Sequence, residues 1–568
     1  MFTLLLELLR CGLVFALLST GLAWPLVARL PLAPLEKIVA STALSLIALW
    51  LFGWALYVWD LPWIALWLLT VLAAGGLFFQ RQALQETLRD GFARECLYGQ
   101  LLVSGWCLGL LHLVQHYSGG GWSGDWYEHW DRMLFILQHE PLDHLFLSTY
   151  SFTARPPLGN LLTGIGVQLT RPDFAHYQIF STLFASLVFL PAAMLTQRWG
   201  GGRVGIALLS VLFMLNPLFV QNAVFPWTKL PAAFFILAAL GFFLRFQDGA
   251  APRTYAVLFS LSLAAGLITH YSAAPYAVVL AMAWCLKGRQ AWRTRSFQQA
   301  TGLAVAAGFV LLATWFGWAL IHYGFAGTVS SNTSVTEVDR DAGAQLGRIL
   351  LNLRDTLVPH FLRSPDAALL AQSSPWGYWR DWFFQSYQLN LLLSLGCCGW
   401  AVVAREGVRL WPQTERRTRW FWTGFVLAVV VLGVGAHGAR DVWGLTHICL
   451  QALVLAGLAF LAARWATLGR VWQRVLIAGA TCDLMLGIVL HFAVQNHALD
   501  RWLTPGRSAL DVITSYNPQA AYDAYALRFH HFVVFNEAFT FPLPLVLALL
   551  ALILTVSLHR CQSAANES

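Results

Sequence analysis

Between Gly124 and Asn160 the sequence reads GDWYEHWDRMLFILQHEPLDHLFLSTYSFTARPPLGN, with acidic, basic and aromatic residues alternating in an otherwise apolar chain. Taken as a helix, 125–137 sets Asp125, Glu128, His129 and Arg132 on one face and Tyr127, Trp130, Leu134 and Leu137 on another. Such a helix is expected to lie in a membrane surface, apolar side down, with its carboxylates at the water boundary. A partly desolvated Asp125 there could take a proton from an incoming hydroxyl or amine. The plainer alternative is a first-turn acid favoured by the helix dipole.

Glu128 and Arg132 are spaced as an ordinary i, i+4 ion pair. Asp131 lies partly off their face and reads as a solvated acid or a cap on a neighbouring segment. His129, beside Glu128, has the chemistry of a metal ligand but no third partner nearby, so a satisfied surface histidine is the simpler reading. Arg155, before Pro156 and Pro157, is carried on a stiff backbone and is either aimed at a substrate anion or paired with Asp143 or Glu140.

Two further groups stand at the ends of apolar segments. Lys229 follows Pro226-Trp227-Thr228, and His270 and Tyr271 lie in Thr269-His270-Tyr271-Ser272. An ammonium or imidazole at that depth would meet the phosphate of a membrane lipid. The alternatives are snorkelling for Lys229 and a helix-packing hydrogen bond for His270.

The elements that must position these groups are membrane helices. Of the 568 residues, 58% are hydrophobic and 11% charged, and mean hydropathy is +0.60, which excludes an ordinary soluble protein. Apolar runs are read at 4–24, 37–59, 62–79, 98–117, 174–197, 204–223, 229–246, 254–269, 272–287, 298–321, 385–404, 420–437, 443–463, 474–495 and 541–558. The expected fold is therefore an all-α polytopic membrane bundle of about 13–15 spans, with juxtamembrane helices and outside loops. Leu158 to Leu169 is short for a crossing and reads as a second surface helix or a re-entrant piece. Asn216-Pro217 and Asn222 interrupt the run at 204–223.

Arginines gather in alternate loops, among them Arg81, Arg89, Arg198, Arg245, Arg405 and Arg464. The positive-inside rule makes that side cytoplasmic and puts the long loops 118–173, 322–384 and 496–540 outside together. The net charge of +8 is thus topology and no sign of a nucleic-acid partner. None of the nine cysteines falls in a long outside loop, so no disulfide framework is expected. The first run, with Glu7 and Arg10, reads as a retained helix, the alternative being a signal peptide ending near Ala23.

Four regions follow: an N-terminal packing module at 1–97, a core at 98–321 including the loop 118–173, an outside loop at 322–384, and C-terminal helices at 385–568 with the loop 496–540. Loop 322–384 carries a helical pattern near 342–357 and an aromatic cluster of Trp376, Tyr378, Trp379 and Trp382, suited to stacking on a sugar or to interfacial anchoring. Loop 496–540 supplies Arg501, Arg507, His530 and His531 as further phosphate contacts. The sequence has no Walker A loop, no GxSxG, no HExxH and no GxGxxG placed after a strand. An activated group would have to arrive on another carrier, and in a bilayer that is a lipid phosphate.

An acid at Asp125 on a juxtamembrane helix, followed about thirty residues later by Phe152 and Arg155-Pro156-Pro157-Leu158, resembles the GT-C superfamily of integral membrane glycosyltransferases. The branch it resembles most contains the protein O-mannosyltransferases and the aminoarabinose transferase of lipid A. The resemblance covers 98–290. It implies a polyprenyl-phosphate-sugar donor, inverting displacement, a glycan, lipid or protein acceptor, and an active site on the periplasmic face of the inner membrane. By that analogy Asp125 is the base, and Arg155, Lys229 and His270 bind donor phosphate; Tyr271, Asp131 and His129 are the further substrate-binding candidates. The family's paired Asp-Glu becomes Asp125-Trp126 here, which leaves Glu128 or Asp131 as second acid. No cofactor is assigned, and a divalent metal is left open. The competing functions are a transporter or flippase for lipid-linked or anionic substrates, with Asp483 as its membrane acid, and a glycan ligase or polymerase.

Overall fold

The computed structural model describes residues 2–111, 114, 125–147, 150–249, 251–286, 291–331, 343–347, 349–350, 395–435 and 449–488. Among these the regular structure is helical, apart from an isolated antiparallel bridge between Phe146 and Tyr150. The first half of the chain forms α1 (Phe2–Gly21), α2 (Trp24–Val27), α3 (Pro34–Val58), α4 (Leu66–Phe79), α5 (Arg81–Arg89), α6 (Gly91–Leu111), α7 (Asp125–Gln138), α8 (Leu158–Leu169), α9 (Phe174–Ser186) and α10 (Phe189–Arg198). There follow α11 (Arg203–Leu215), α12 (Pro217–Val224), α13 (Lys229–Gln247), α14 (Pro252–Thr269), α15 (Ala274–Cys285), α16 (Arg295–Leu312) and α17 (Trp318–Val329). The last described helices are α18 (Leu395–Leu410), α19 (Arg416–Gly435), α20 (Gln451–Arg464) and α21 (Arg470–Ile488).

Among the described residues, four stretches of helix are each long and apolar enough to cross a membrane: Pro34–Val58, Phe174–Arg198, Lys229–Gln247 and Arg295–Val329. Two bent pairs add to these, including Arg203–Leu215 with Leu218–Val224, which turn by 66°. The break falls at Asn216-Pro217, where the proline cannot donate and the Asn216 side chain accepts from Phe219 N at 3.0 Å to start α12. The bundle thus keeps the expected all-helical class, but several expected crossings are broken or short helices. The run at 541–558, the loop 496–540 and most of 322–384 lie outside the described residues, although 343–347 and 349–350 are helical.

Three expectations are corrected. Leu158–Leu169 is not a surface helix: residues 158–167 and Leu169 are buried, and it packs between α7, α9 and α3 as a short piece held within the protein. Its glycines permit this, since a Cβ on Gly164 would sit 3.1 Å from Met133 Cγ of α7. The helix expected to end at 321 passes a π-turn at Ala313–Gly317 and kinks at Gly324 (φ +67°), after which helical backbone resumes to Val329, so the outside loop begins later. The helix expected from 98 begins at Gly91, after Asp90 Oδ1 accepts from Ala93 N at 2.8 Å.

Residues 1–97 are built into the bundle, with α3 lying against α8, α10, α13 and α14. Trp50 and Trp54 donate through Nε1 to Thr314 Oγ1 and to Thr314 O, each at 2.9 Å. Charged contacts sort to two opposite ends. Glu36 at the start of α3 meets Arg245 and Tyr255, Arg198 meets Asp248, and Glu406 meets Arg464. The other end of α3 carries Asp60, 3.6 Å from His139 after α7, and Tyr57, whose ring centroid lies 6.5 Å from that of Phe152. The arginine-rich turns therefore share one end, and the segment from Asp125 to Asn160 lies at the other.

Candidate active site

Helix α7 brings Glu128, His129 and Arg132 to one face, as its spacing predicts, but that face points into the protein. Glu128 and Arg132 have no exposed surface and His129 is buried. The stripe left partly or fully exposed is Tyr127, Asp131, Leu134 and Gln138, so Tyr127 and Leu134 do not form the buried face. The reason is internal compensation. Arg132 Nε donates to Glu128 Oε1 at 2.8 Å, its Nη1 to Phe152 O at 2.8 Å and its Nη2 to Ser151 O at 3.1 Å. A guanidinium with so many acceptors loses little on leaving water, and its plane also lies 4.2 Å from the Phe146 ring centroid.

Arg155 pairs with the same carboxylate, Nε lying 3.4 Å from Glu128 Oε1 and Nη2 donating to Oε2 at 3.4 Å. The partner is thus Glu128, not Asp143 or Glu140. Burial alone would raise the Glu128 carboxyl, but the guanidinium groups of Arg155 and Arg132 outweigh it and hold it down at about 2. Glu128 stays an anion at any ordinary pH and acts as the clamp between two arginines.

His129 Nδ1 lies 3.1 Å from Asn160 Oδ1 on α8. Burial, reinforced by Arg155 and Arg132, brings this imidazole down to about 3 despite the neighbouring Glu128, so it is neutral. Asp131 bonds to His144 Nε2 at 3.1 Å, and burial raises its carboxyl above the ordinary range although His144 opposes this. It lies in the exposed stripe, off the Glu128 face.

Three turns meet around this cluster. The 3-10 turn Phe152–Ala154 and the two prolines lead into α8, and Gly159 brings that helix start against the turn at 226–228. A Cβ on Gly159 would stand 2.6 Å from Thr228 Cγ2 and 3.7 Å from Thr269 Cγ2, so only glycine lets the three segments touch. Tyr271 donates its hydroxyl to Thr153 O at 3.0 Å, tying the third turn to the first. Lys229, buried at the start of α13, sets its ammonium 3.6 Å from the Trp227 ring centroid. It is not a snorkelling lysine.

His270 lies within electrostatic reach of Arg155, Lys229, His129 and Glu128. Burial first, then the charges of Arg155 and Lys229, hold its imidazole well below the usual histidine value. Ser272 N donates to His270 Nδ1 at 3.0 Å, which leaves the proton on Nε2 as a neutral donor. The arrangement is a buried electropositive cluster: two histidines kept neutral, three cations (Arg132, Arg155 and Lys229) and one clamped carboxylate.

Of the expected site residues, Glu128, His129, Arg155, Lys229, His270 and Tyr271 come together, and Asp131 stands at the rim. Asp125 is the first residue of α7, and its side chain lies outside what the structure describes, as do Asp483's side chain, Arg501, Arg507, His530, His531 and the aromatic cluster at 376–382. Asn160 was missed. It is buried, lines a narrow cleft with Thr163, Tyr177, Trp227 and Thr228, and its Nδ2 has no hydrogen-bond partner among the described residues. Its only sequence signal is its place two residues after the Pro-Pro-Leu run. Among the described residues no three His, Cys, Asp or Glu side chains are grouped to hold a metal.

No protein-family model matches the chain, and no curated protein sequence matches it. Two solved structures are similar to it. They are crystal structures of ArnT from Cupriavidus metallidurans, bound to undecaprenyl phosphate (TM-score 0.47, 16% identity, 82% of this chain and 76% of that one) and in the apo state (0.45, 16%, 83% and 76%).

Proposed function

We propose that this protein is an integral membrane glycosyltransferase of the GT-C kind, moving a sugar from a polyprenyl-phosphate donor to an acceptor at the end of the bundle opposite its arginine-rich turns. That end would be periplasmic. The observation carrying this reading is the convergence of Arg155, Lys229 and His270, from three separate turns, into one buried electropositive cluster beside the start of α7. Buried cations with a neutral N–H donor beside them suit an anion that arrives and leaves, and a lipid phosphate does both.

In this mechanism the acceptor hydroxyl attacks C1 of the sugar as Asp125 takes its proton. The bond from C1 to the phosphate oxygen breaks on the opposite side, and configuration inverts. Arg155 and Lys229 hold the charge that develops on the departing phosphate, while His270 donates from Nε2 without adding charge. Glu128 is already an anion clamped by two arginines, so its part is to aim Arg155. Asn160 orients His129, and Tyr271 holds the turn that carries His270 against Thr153.

The test is transfer from radiolabelled polyprenyl-phosphate sugars by the purified chain in lipid. Asp125→Asn is expected to abolish transfer, a fall of at least about 10³-fold, while still binding undecaprenyl phosphate. Full activity in that variant would remove Asp125 as base. Movement of intact donor across the bilayer without transfer would replace the enzyme with a flippase.

A further inference from the structure

The end of the bundle remote from Glu128 holds two charge clusters of unlike balance. In the first, buried Glu36 meets Arg245, and Arg198 grips Asp248, with Nη2 donating to Oδ1 at 2.8 Å. Two acids there balance two arginines. In the second, Glu406 of α18 has no exposed surface and faces three arginines: Arg405 Nη1 at 2.7 Å, Arg409 Nη1 at 3.4 Å and Arg464 Nη2 at 4.0 Å.

A carboxylate offers about four lone-pair positions, whereas each guanidinium carries about five N–H donors. The surplus is only partly absorbed. Arg409 Nη1 also donates to Thr467 O at 3.3 Å, and Arg405 lies 5.3 Å from the Trp472 ring centroid. Arg464 Nε is buried with no hydrogen-bond partner among the described residues. Yet the three side chains reach outward, Arg405, Arg409 and Arg464 being 40%, 50% and 23% exposed. Beside them Val408 and Val471 present bare apolar surface, 75% and 69% exposed.

We propose that this cluster is a binding site for an anionic glycerophospholipid. The headgroup phosphate takes the remaining donors of Arg405, Arg409 and Arg464, and the acyl chains run along Val408 and Val471. Guanidinium forks match phosphate geometry, and basic pockets between membrane helices on the cytoplasmic side suit such headgroups. Glu406 holds the three arginines together and is outnumbered by them. The balanced cluster at Glu36 lacks this surplus. The site is independent of the transfer reaction.

The test is native mass spectrometry of the full chain titrated with cardiolipin, with phosphatidylcholine and with inorganic phosphate. The wild type is expected to hold cardiolipin at least about ten-fold more tightly than phosphatidylcholine. Arg405→Gln and Arg409→Gln, both at exposed positions, should each erode that preference, while Arg89→Gln on the exposed face of α5 should leave it intact. Unchanged thermal melting of the variants shows that they fold. An equal preference in all variants, or complete displacement of the lipid by an equal concentration of inorganic phosphate, overturns the proposal.

Discussion

At the scale of single residues, the decisive pair is Glu128 with Arg132. Both are fully buried, so removing one leaves the other charged and out of water. Arg132→Met is expected to cost about 3–5 kcal/mol, read as a drop in detergent melting temperature, because buried Glu128 is left with only the longer contact to Arg155 and the carbonyls of Phe152 and Ser151 lose their donor. The histidines set a pH dependence. His129 is held at about 3 and His270 well below 6.5, so the unfolded chain takes up protons first as pH falls. Stability should therefore decline on acidification from the ordinary histidine range downward. Glu128, down at about 2 from 4.5, extends the same decline at lower pH. His129→Gln should lessen that slope in melting scans from about pH 6.5 down to about 3, leaving the shares of His270 and Glu128 in place. A curve unchanged by the substitution would mean that His129 does not titrate as its surroundings dictate.

At the scale of elements, α8 is the piece on which the site is assembled. Its apolar run looked too short to cross a membrane, and that length was read correctly. Its burial on every side depends on neighbours that no local pattern announces. Gly159 is the contact point. Gly159→Ala would press a methyl into Thr228 and is expected to cost about 1–3 kcal/mol while displacing the turn that carries Lys229. Thr228→Ser removes the methyl carbon that would be struck, so the double variant should recover part of both stability and lipid-phosphate binding. Independent, additive losses would show that the two positions do not touch.

The orientation of α7 shows where periodicity stops being informative. Its polar face was legible as a face, because i, i+3 and i+4 spacing follows from helix geometry. Which way the face turns was not. A polar stripe ordinarily seeks water, and this one turns inward because Arg132 finds the carbonyls of Ser151 and Phe152 about twenty residues away.

At the scale of the whole molecule, the two ends of the bundle carry different charge. The arginine-rich turns gather with Glu36, Asp248 and Glu406, and the Glu128 cluster occupies the other end. Exposed Asp60 and Arg89 belong to opposite ends. In a cysteine-free background, Asp60→Cys should react with a membrane-impermeant thiol reagent added to intact cells, and Arg89→Cys only after lysis. The reverse pattern would invert the assigned topology, and labelling of both from one side would break it.

The sequence by itself determined the helical class, the end of the bundle at which polar residues collect, and six of the groups that meet there. Burial of apolar runs and the scarcity of charge in lipid leave few alternatives, and both are written in composition and spacing. Tertiary structure alone decided that Arg155 answers to Glu128, that Lys229 rests on Trp227, that His270 is buried within reach of two cations, and that Asn160 meets His129. Each of these depends on distances between segments far apart in the chain, and on burial that changes what a charge costs. Neither quantity exists until the helices have packed.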